Sequence, residues 1–432
     1  MKVVGKKYDK QHLFLLKTII FAVFWLSVNS YSQERRIEKI TFLGAKKTKK
    51  HVLRRILSSK ENNVLDSIVL KNDMTRLKRL PAISNAYFKA SCSDNKCNVV
   101  VTVEENFTII PEINFHKTIN QKLAYRIGVG EYNFLGRNIV LGGFYQYNGF
   151  DSYGVNFRAP TLFSAKWGLV LNHQNWTSEE PLYFENESAN YKYQNISYEA
   201  LALYQHDFKH QFQFGVNFFK EKYNYLNGST SSEVPTELNV DKKLLKLIYT
   251  FDNLDYNYQY INGFKNEFHG QYVTSENKYQ NDFLIFWNDL FYFKRLGNKG
   301  NWANRLRVGL SSNDDTPFAP FALDNNLNLR GVGILVDRGT GSIVLNTEYR
   351  YTLYEKKWFV LQGNVFTDVG TWRKPGGALS DFVDSDNVRM YSGIGLRFIN
   401  KKIFNAVFRI DYGHGLTKNA SKGFVFGIGQ YF

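Results

Sequence analysis

Ile343-Val344-Leu345-Asn346-Thr347-Glu348-Tyr349-Arg350-Tyr351-Thr352-Leu353 decides how the chain is read. Side chains on a strand alternate between two faces. Ile343, Leu345, Tyr349, Tyr351 and Leu353 therefore share one face, and Asn346, Glu348, Arg350 and Thr352 share the other. Hydrocarbon accepts the first set and rejects the charges of the second, so lipid takes one side and a polar lumen the other. The next segment repeats the pattern: Phe359, Leu361, Val365 and Val369 point one way, and Phe366, Asp368 and Gly370 point inward.

The same texture extends from about residue 107 to the end. Sixteen alternating segments, each of roughly ten residues or more, suit tilted membrane strands, and an even count suits a single-chain barrel. The turns at 175–192, 224–238 and 313–341 are the long ones, as outer loops of barrels are. In the closing segment Phe424, Phe426, Ile428 and Phe432 fall on the outward face. Its glycines, Gly423, Gly427 and Gly429, have two readings of equal weight: a weakly pairing strand, or relief of crowding inside a curved wall.

Composition agrees with many strands and tight turns. Of 432 residues, 28 are Tyr, 36 Phe and 32 Gly, while only 8 are Pro. Rings of this kind gather at polar–apolar boundaries. Mean hydropathy is −0.37, and past residue 30 no apolar stretch is long enough for a spanning helix. The net charge of +16 raises nucleic acid as a partner. Without a run of five basic residues or a nucleic-acid motif, anionic headgroups or a client protein fit better.

Residues 1–32 read as a secretory signal: Lys2, Lys6, Lys7 and Lys10, an apolar run to Leu26, then Ser30-Tyr31-Ser32. Residues 33–106 form one small α/β domain. Ile37–Phe42 alternates as a strand, Thr48 is placed to cap a helix carrying Val52, Leu53, Ile56 and Leu57, and a second helix carries Leu70, Met74, Leu77 and Leu80 up to Pro81. A hairpin follows, with Cys92 and Cys97 flanking its turn. These are the only cysteines, and in an oxidising compartment they bridge the hairpin ends; a metal site would need further ligands. The basic stretch Lys46, Lys47, Lys49, Lys50, Arg54 and Arg55 reads as a solvated face before it reads as a docking patch.

Arg330-Gly331 in the third long turn is the candidate site. A guanidinium fork can meet a carboxylate with two parallel hydrogen bonds, and Gly331 permits a tight bend. Inward-facing Glu348 and Asp368 on the two following strands are the partners expected to hold it in the lumen. The eight His are scattered, no nucleophile elbow or phosphate-cradling loop is present, and the chain is read as having no enzymatic, cofactor or metal site.

The order strand–helix–helix–strand–strand in 33–106 resembles a POTRA domain, and the barrel resembles that of the BamA/TamA outer-membrane assembly family. Arg330-Gly331 resembles that family's motif at the tip of the loop between its eleventh and twelfth strands. Glu348-Tyr349-Arg350, Phe366-x-Asp368-x-Gly370, Tyr391–Phe398 and Arg409–Gly413 resemble the marks that follow it, and Phe424–Phe432 resembles its terminal targeting strand. Val332 stands where the family has an aromatic, which implies a tip that packs less firmly. The resemblance implies a mainly β protein in which one POTRA-like domain precedes a 16-stranded antiparallel transmembrane barrel, residues 107–432, in the outer membrane of a Gram-negative-type bacterium. It implies client polypeptides to be inserted or translocated, outer-membrane lipids as neighbours, and accessory periplasmic or lipoprotein subunits as further candidate partners. The competing readings are a transporter for one dedicated partner and a passive channel or structural barrel.

Overall fold

The computed structural model describes residues 34–117, 123–184, 187–230, 234–275, 281–313, 318–324, 328–332, 337–418 and 420–432. The signal expected at 1–32 lies outside the described residues.

Alternation in Arg36–Leu43 makes β1, whose inward side chains Ile37, Ile40 and Phe42 are buried. Two helices follow, α1 over Lys50–Ile56 and α2 over Ser67–Lys78. Asp66 caps α2, its carboxylate accepting from the N–H groups of Ile68 and Val69. Thr48 does not cap α1; Lys49 holds that position, and the Thr48 hydroxyl accepts instead from Asn133 Nδ2 at 3.1 Å. The hairpin pairs β2, Ile83–Ser93, with β3, Lys96–Glu105. The sheet order is β1-β3-β2, with β1 parallel to β3. Leu53, Leu70, Met74 and Leu77 pack on Val99, Val101 and Val103 to form the core. Cys92 and Cys97 face each other across the hairpin and are bonded.

Glu105 at the end of β3 orders the entry to α1. Its carboxylate accepts from the N–H groups of Lys46, Lys47 and Thr48 at 2.7–3.2 Å. Partial burial pushes this carboxyl up, but the donors of Thr48, Lys47 and Lys46 outweigh it and hold it below its ordinary value. The contribution to stability is then complete above the ordinary carboxylate range and fades as pH falls through the lowered value. Amide exchange at 46–48 in the full chain is expected to be slower than in Glu105→Gln at neutral pH. The difference should shrink as pH falls below the ordinary carboxylate range and through the lowered value of Glu105; a difference that does not shrink on acidification would remove Glu105 from this role.

Sixteen wall strands follow. They are β4 Ile109–Lys117, β5 Leu123–Phe134, β6 Ile139–Tyr147, β7 Asp151–Ala159, β8 Trp167–Phe184, β9 Glu187–Gln205, β10 His210–Gly228 and β11 Glu237–Asp252. Then come β12 Tyr260–Val273, β13 Phe283–Leu296, β14 Gly300–Ser311, β15 Gly341–Glu355, β16 Phe359–Arg373, β17 Val388–Asn400, β18 Val407–Gly415 and β19 Lys422–Ile428. Each pairs antiparallel with its sequence neighbour, and the ring closes between β19 and β4. These two seam strands are short, 7 and 9 residues, against 18 and 19 for β8 and β9. β19 is the shortest of the wall strands, while β4 matches β6, β7 and β18 at 9 residues; fewer residues allow fewer ladder hydrogen bonds, so the seam is among the less extensively paired parts of the wall.

Outward faces are apolar: Leu345, Tyr349, Tyr351, Leu353, Val365, Phe424, Phe426 and Ile428 are all exposed. Rings line one rim, with Trp167 against Tyr204 at 4.7 Å, Phe212 against Tyr249 at 5.0 Å and Tyr292 against Trp302 at 6.2 Å. Two of the expected long turns are different in kind. Residues 175–192 are mostly strand, because β8 and β9 stay in register up to Phe184 opposite Glu187. Likewise β10 and β11 pair from Asn224 opposite Glu237 downward. Polar residues beyond the apolar band still satisfy their backbones in a ladder, so the wall continues where the alternation of hydrophobicity stops.

The N-terminal domain sits against the turns at one rim. Arg79 of the segment after α2 donates to the carbonyls of Phe208, Asp252 and Leu254 at 2.8–3.0 Å. Arg55 donates to Thr161 O, and Lys49 N–H to Gly136 O. The basic residues Lys46, Lys47, Lys49, Lys50, Arg54 and Arg55 are all exposed, as a solvated face is, and of their side chains Arg55 also reaches a barrel turn. The segment between β14 and β15 leaves from the opposite rim.

Candidate functional site: a loop held in the barrel lumen

The seat is made by the inward faces of β15, β16, β17 and β18. Register sets it: Asn346 lies opposite Asp368, Glu348 opposite Phe366, Phe366 opposite Gly393, and Gly395 opposite Asp411. Parity along each strand then puts Asn346, Glu348, Arg350, Asp368, Arg397 and Asp411 into the lumen, and all are buried.

Arg330 enters this seat from the β14–β15 loop and is 0% exposed. Its Nε and Nη2 donate to the two oxygens of Asp368, both at 2.8 Å, in the bidentate form that a guanidinium fork favours. Its backbone N–H donates to the same carboxylate at 3.0 Å. Nη1 pairs with Glu348 and lies 3.8 Å from Asp411. The Phe366 ring covers the guanidinium at 3.7 Å, a cation–π contact strengthened by the absence of water. Asn346 Nδ2 completes the shell, donating to Asp368 at 2.8 Å and to Asn328 O at 2.7 Å.

Backbone fit is as close as the charge contacts. Gly331 has φ +102°, and a Cβ there would stand 2.8 Å from the Gly413 carbonyl oxygen. A Cβ on Gly413 would stand 2.1 Å from Arg330 O. Two glycines, one in the loop and one in the wall, let the chains touch. Gly370 makes room for Leu329, whose methyl would be 2.9 Å from a Cβ there. Ser421 Oγ reaches the carbonyls of Gly331 and Val332 at 2.8 Å. Val332 is buried with Leu323, Leu329, Val344, Trp372 and Tyr391. The aliphatic side chain fills its place, so the tip is not loosely packed.

Each residue singled out from the sequence is thereby placed. Arg330, Gly331, Glu348, Phe366, Asp368 and Gly370 are brought together in the lumen, and Cys92 and Cys97 lie apart in the N-terminal domain. Phe424, Phe426 and Ile428 face outward on β19. Phe432 is a correction: it does not face outward. β19 ends at Ile428, Gly429 with φ +90° turns the chain, and the Phe432 ring meets Phe293 and Arg350 inside. The closing glycines divide between roles: Gly427 leaves room for Arg409, Gly429 makes the turn, and Gly423 has open space.

Sequence reasoning did not assign roles to Asp411, Arg397, Arg350 or Asn346. Arg350 pairs with Glu348, and Arg397 donates to Asp411 at 2.8 Å. The signal was available, since parity along 391–398 and 409–413 turns Arg397 and Asp411 to the lumen. Among the described residues no group of His, Cys, Asp or Glu is placed to hold a metal.

Together these features define a class: a 16-stranded barrel with an inserted, ion-paired loop and one small α/β domain at the opposite rim. Residues 35–106 match the POTRA family model, described as a surface antigen variable number repeat. No curated protein sequence matches the chain. Among solved structures the fold is shared with BamA from Haemophilus ducreyi lacking POTRA domains 1–3, at 16% identity and TM-score 0.54, covering 91% of this chain and 83% of that one. CdiB from Escherichia coli matches at 11% identity and TM-score 0.58, covering 91% and 75%. CdiB from Acinetobacter baumannii matches at 12% and 0.56, covering 91% and 73%. The chain therefore has a POTRA domain followed by a barrel of the BamA and CdiB fold.

Proposed function

We propose that this protein works in the outer membrane of a Gram-negative-type bacterium, with its POTRA domain on the periplasmic side, and inserts or translocates client polypeptides. The observation that carries this reading is the complete burial of Arg330 in a lumen lined by its carboxylate partners. A passive diffusion channel does not need a loop ion-paired to its inner wall. A barrel whose wall must open sideways while its inner loop stays in place does. The short seam strands β4 and β19 offer the place for opening, where a client strand would add to the exposed edge by backbone hydrogen bonds. This reading assigns the chain no covalent chemistry. The likeness to BamA and the resemblance to the BamA/TamA family support it.

A second reading, export of one dedicated partner, is favoured by the likeness to the two CdiB structures. Depletion of the protein followed by outer-membrane and secreted proteomes separates the two. Broad loss of barrel proteins is the expected result. Loss of a single secreted protein would move the assignment to dedicated export. Altered solute permeability with an unchanged proteome would overturn both.

A further inference from the structure

The end of the closing strand lies in the same seat as the loop. Beyond Gly429, whose N–H donates to Val407 O at 2.8 Å, the chain leaves the wall. Tyr431 is 4% exposed. Its ring lies over the Arg330 guanidinium at 4.4 Å and over Arg409 at 4.8 Å. The in-plane N–H groups of Arg330 are directed at Asp368 and Glu348, so only its two faces remain for rings. Phe366 at 3.7 Å and Tyr431 at 4.4 Å cannot share one face, and the guanidinium is held between them. One residue further, the Phe432 backbone oxygen accepts from Arg350 Nη2 at 3.2 Å, and its ring packs on the cluster of Leu254, Phe293 and Ala303.

We propose that residues 429–432 are a latch: the inward-turned end of the seam strand and the inserted loop hold each other in the lumen through Arg330. Whatever hold the Tyr431 ring gives the loop, the loop gives back to the chain end, because coupling between two bound elements is reciprocal. Latched, β19 stays short. Released, residues 429–432 become available to lengthen it, so the state of the loop is read out at the seam. The last step, from latch to client handling, rests on the proposed function; the latch itself does not.

The test uses the full chain in outer-membrane vesicles with Val332→Cys as a reporter at the loop tip. Cys92 and Cys97 are bonded to each other, so the reporter supplies the thiol that reacts with a membrane-impermeant maleimide. Adding Tyr431→Ala is expected to speed labelling about tenfold, by losing a cation–π contact made without water. Tyr431→Phe, which keeps the ring over the guanidinium, is expected to label more slowly than Tyr431→Ala. In an Arg330→Ala background Tyr431→Ala should add nothing, since the shared partner is gone. Parental labelling with Tyr431→Ala, or its full effect on top of Arg330→Ala, would overturn the latch. Tyr431→Leu gives the same comparison if the alanine variant lacks a heat-modifiable barrel band. Labelling is measured without a client, so a depletion experiment that refutes the proposed function leaves this result standing.

Discussion

Arg330→Ala is expected to release the loop and abolish client handling while the barrel still inserts and runs as a heat-modifiable band. Removing one partner of a buried ion pair costs about 3–5 kcal/mol, because the other charge stays buried without compensation. Here the cost falls unevenly. Glu348 keeps Arg350, whereas Asp368 loses both guanidinium bonds and is left with the amide of Asn346 and the backbone N–H of residue 330. The loop has an alternative that a protein core lacks: it can leave and let water reach Asp368. Faster maleimide labelling at residue 332 and faster proteolysis within 313–341, at unchanged band intensity, are the measurements. Arg330→Lys should fail to rescue, since an ammonium cannot make the parallel pair to Asp368 and the contact to Glu348 together. Wild-type client handling with Arg330→Ala would sink the role given to the loop.

Gly413→Ala is expected to produce the same release without touching a charge. The added methyl would stand 2.1 Å from Arg330 O and 3.1 Å from Gly331 Cα. Both are backbone atoms, so no side chain can rotate away, and overpacking of this kind costs about 1–3 kcal/mol or more. The position has an internal control. Gly423 lies directly opposite Gly413 on β19, yet nothing lies within 4 Å of a Cβ built there. Gly423→Ala should therefore behave as wild type in the same labelling assay. Equal labelling of the two variants would mean that close approach of the loop backbone to the wall is not what holds it.

Legibility followed parity. Where a strand has lipid on one side, alternation of residue type is forced, and Ile343–Leu353 and Phe359–Gly370 could be assigned inner and outer faces from their letters alone. Beyond the apolar band nothing forces alternation, so the upper halves of β8 to β11 read as loops although they pair residue by residue. The candidate site was legible in its main pair because Arg330, Glu348 and Asp368 each carry charge that must find a partner in a barrel. Asn346, Arg397 and Asp411 were less visible, because their importance comes from which strands stand side by side.

By itself the sequence determined the barrel, the small domain ahead of it, the inward carboxylates and the arginine that meets them, because each rests on periodicity or on an unbalanced charge. Only the tertiary structure decided that Phe432 turns inward, that Gly331 and Gly413 touch, and that Tyr431 covers the second face of Arg330. Those contacts join residues about 80 to 140 positions apart in the chain. No local pattern encodes them; they exist because the closing strand is brought beside the loop only when the ring of strands is complete.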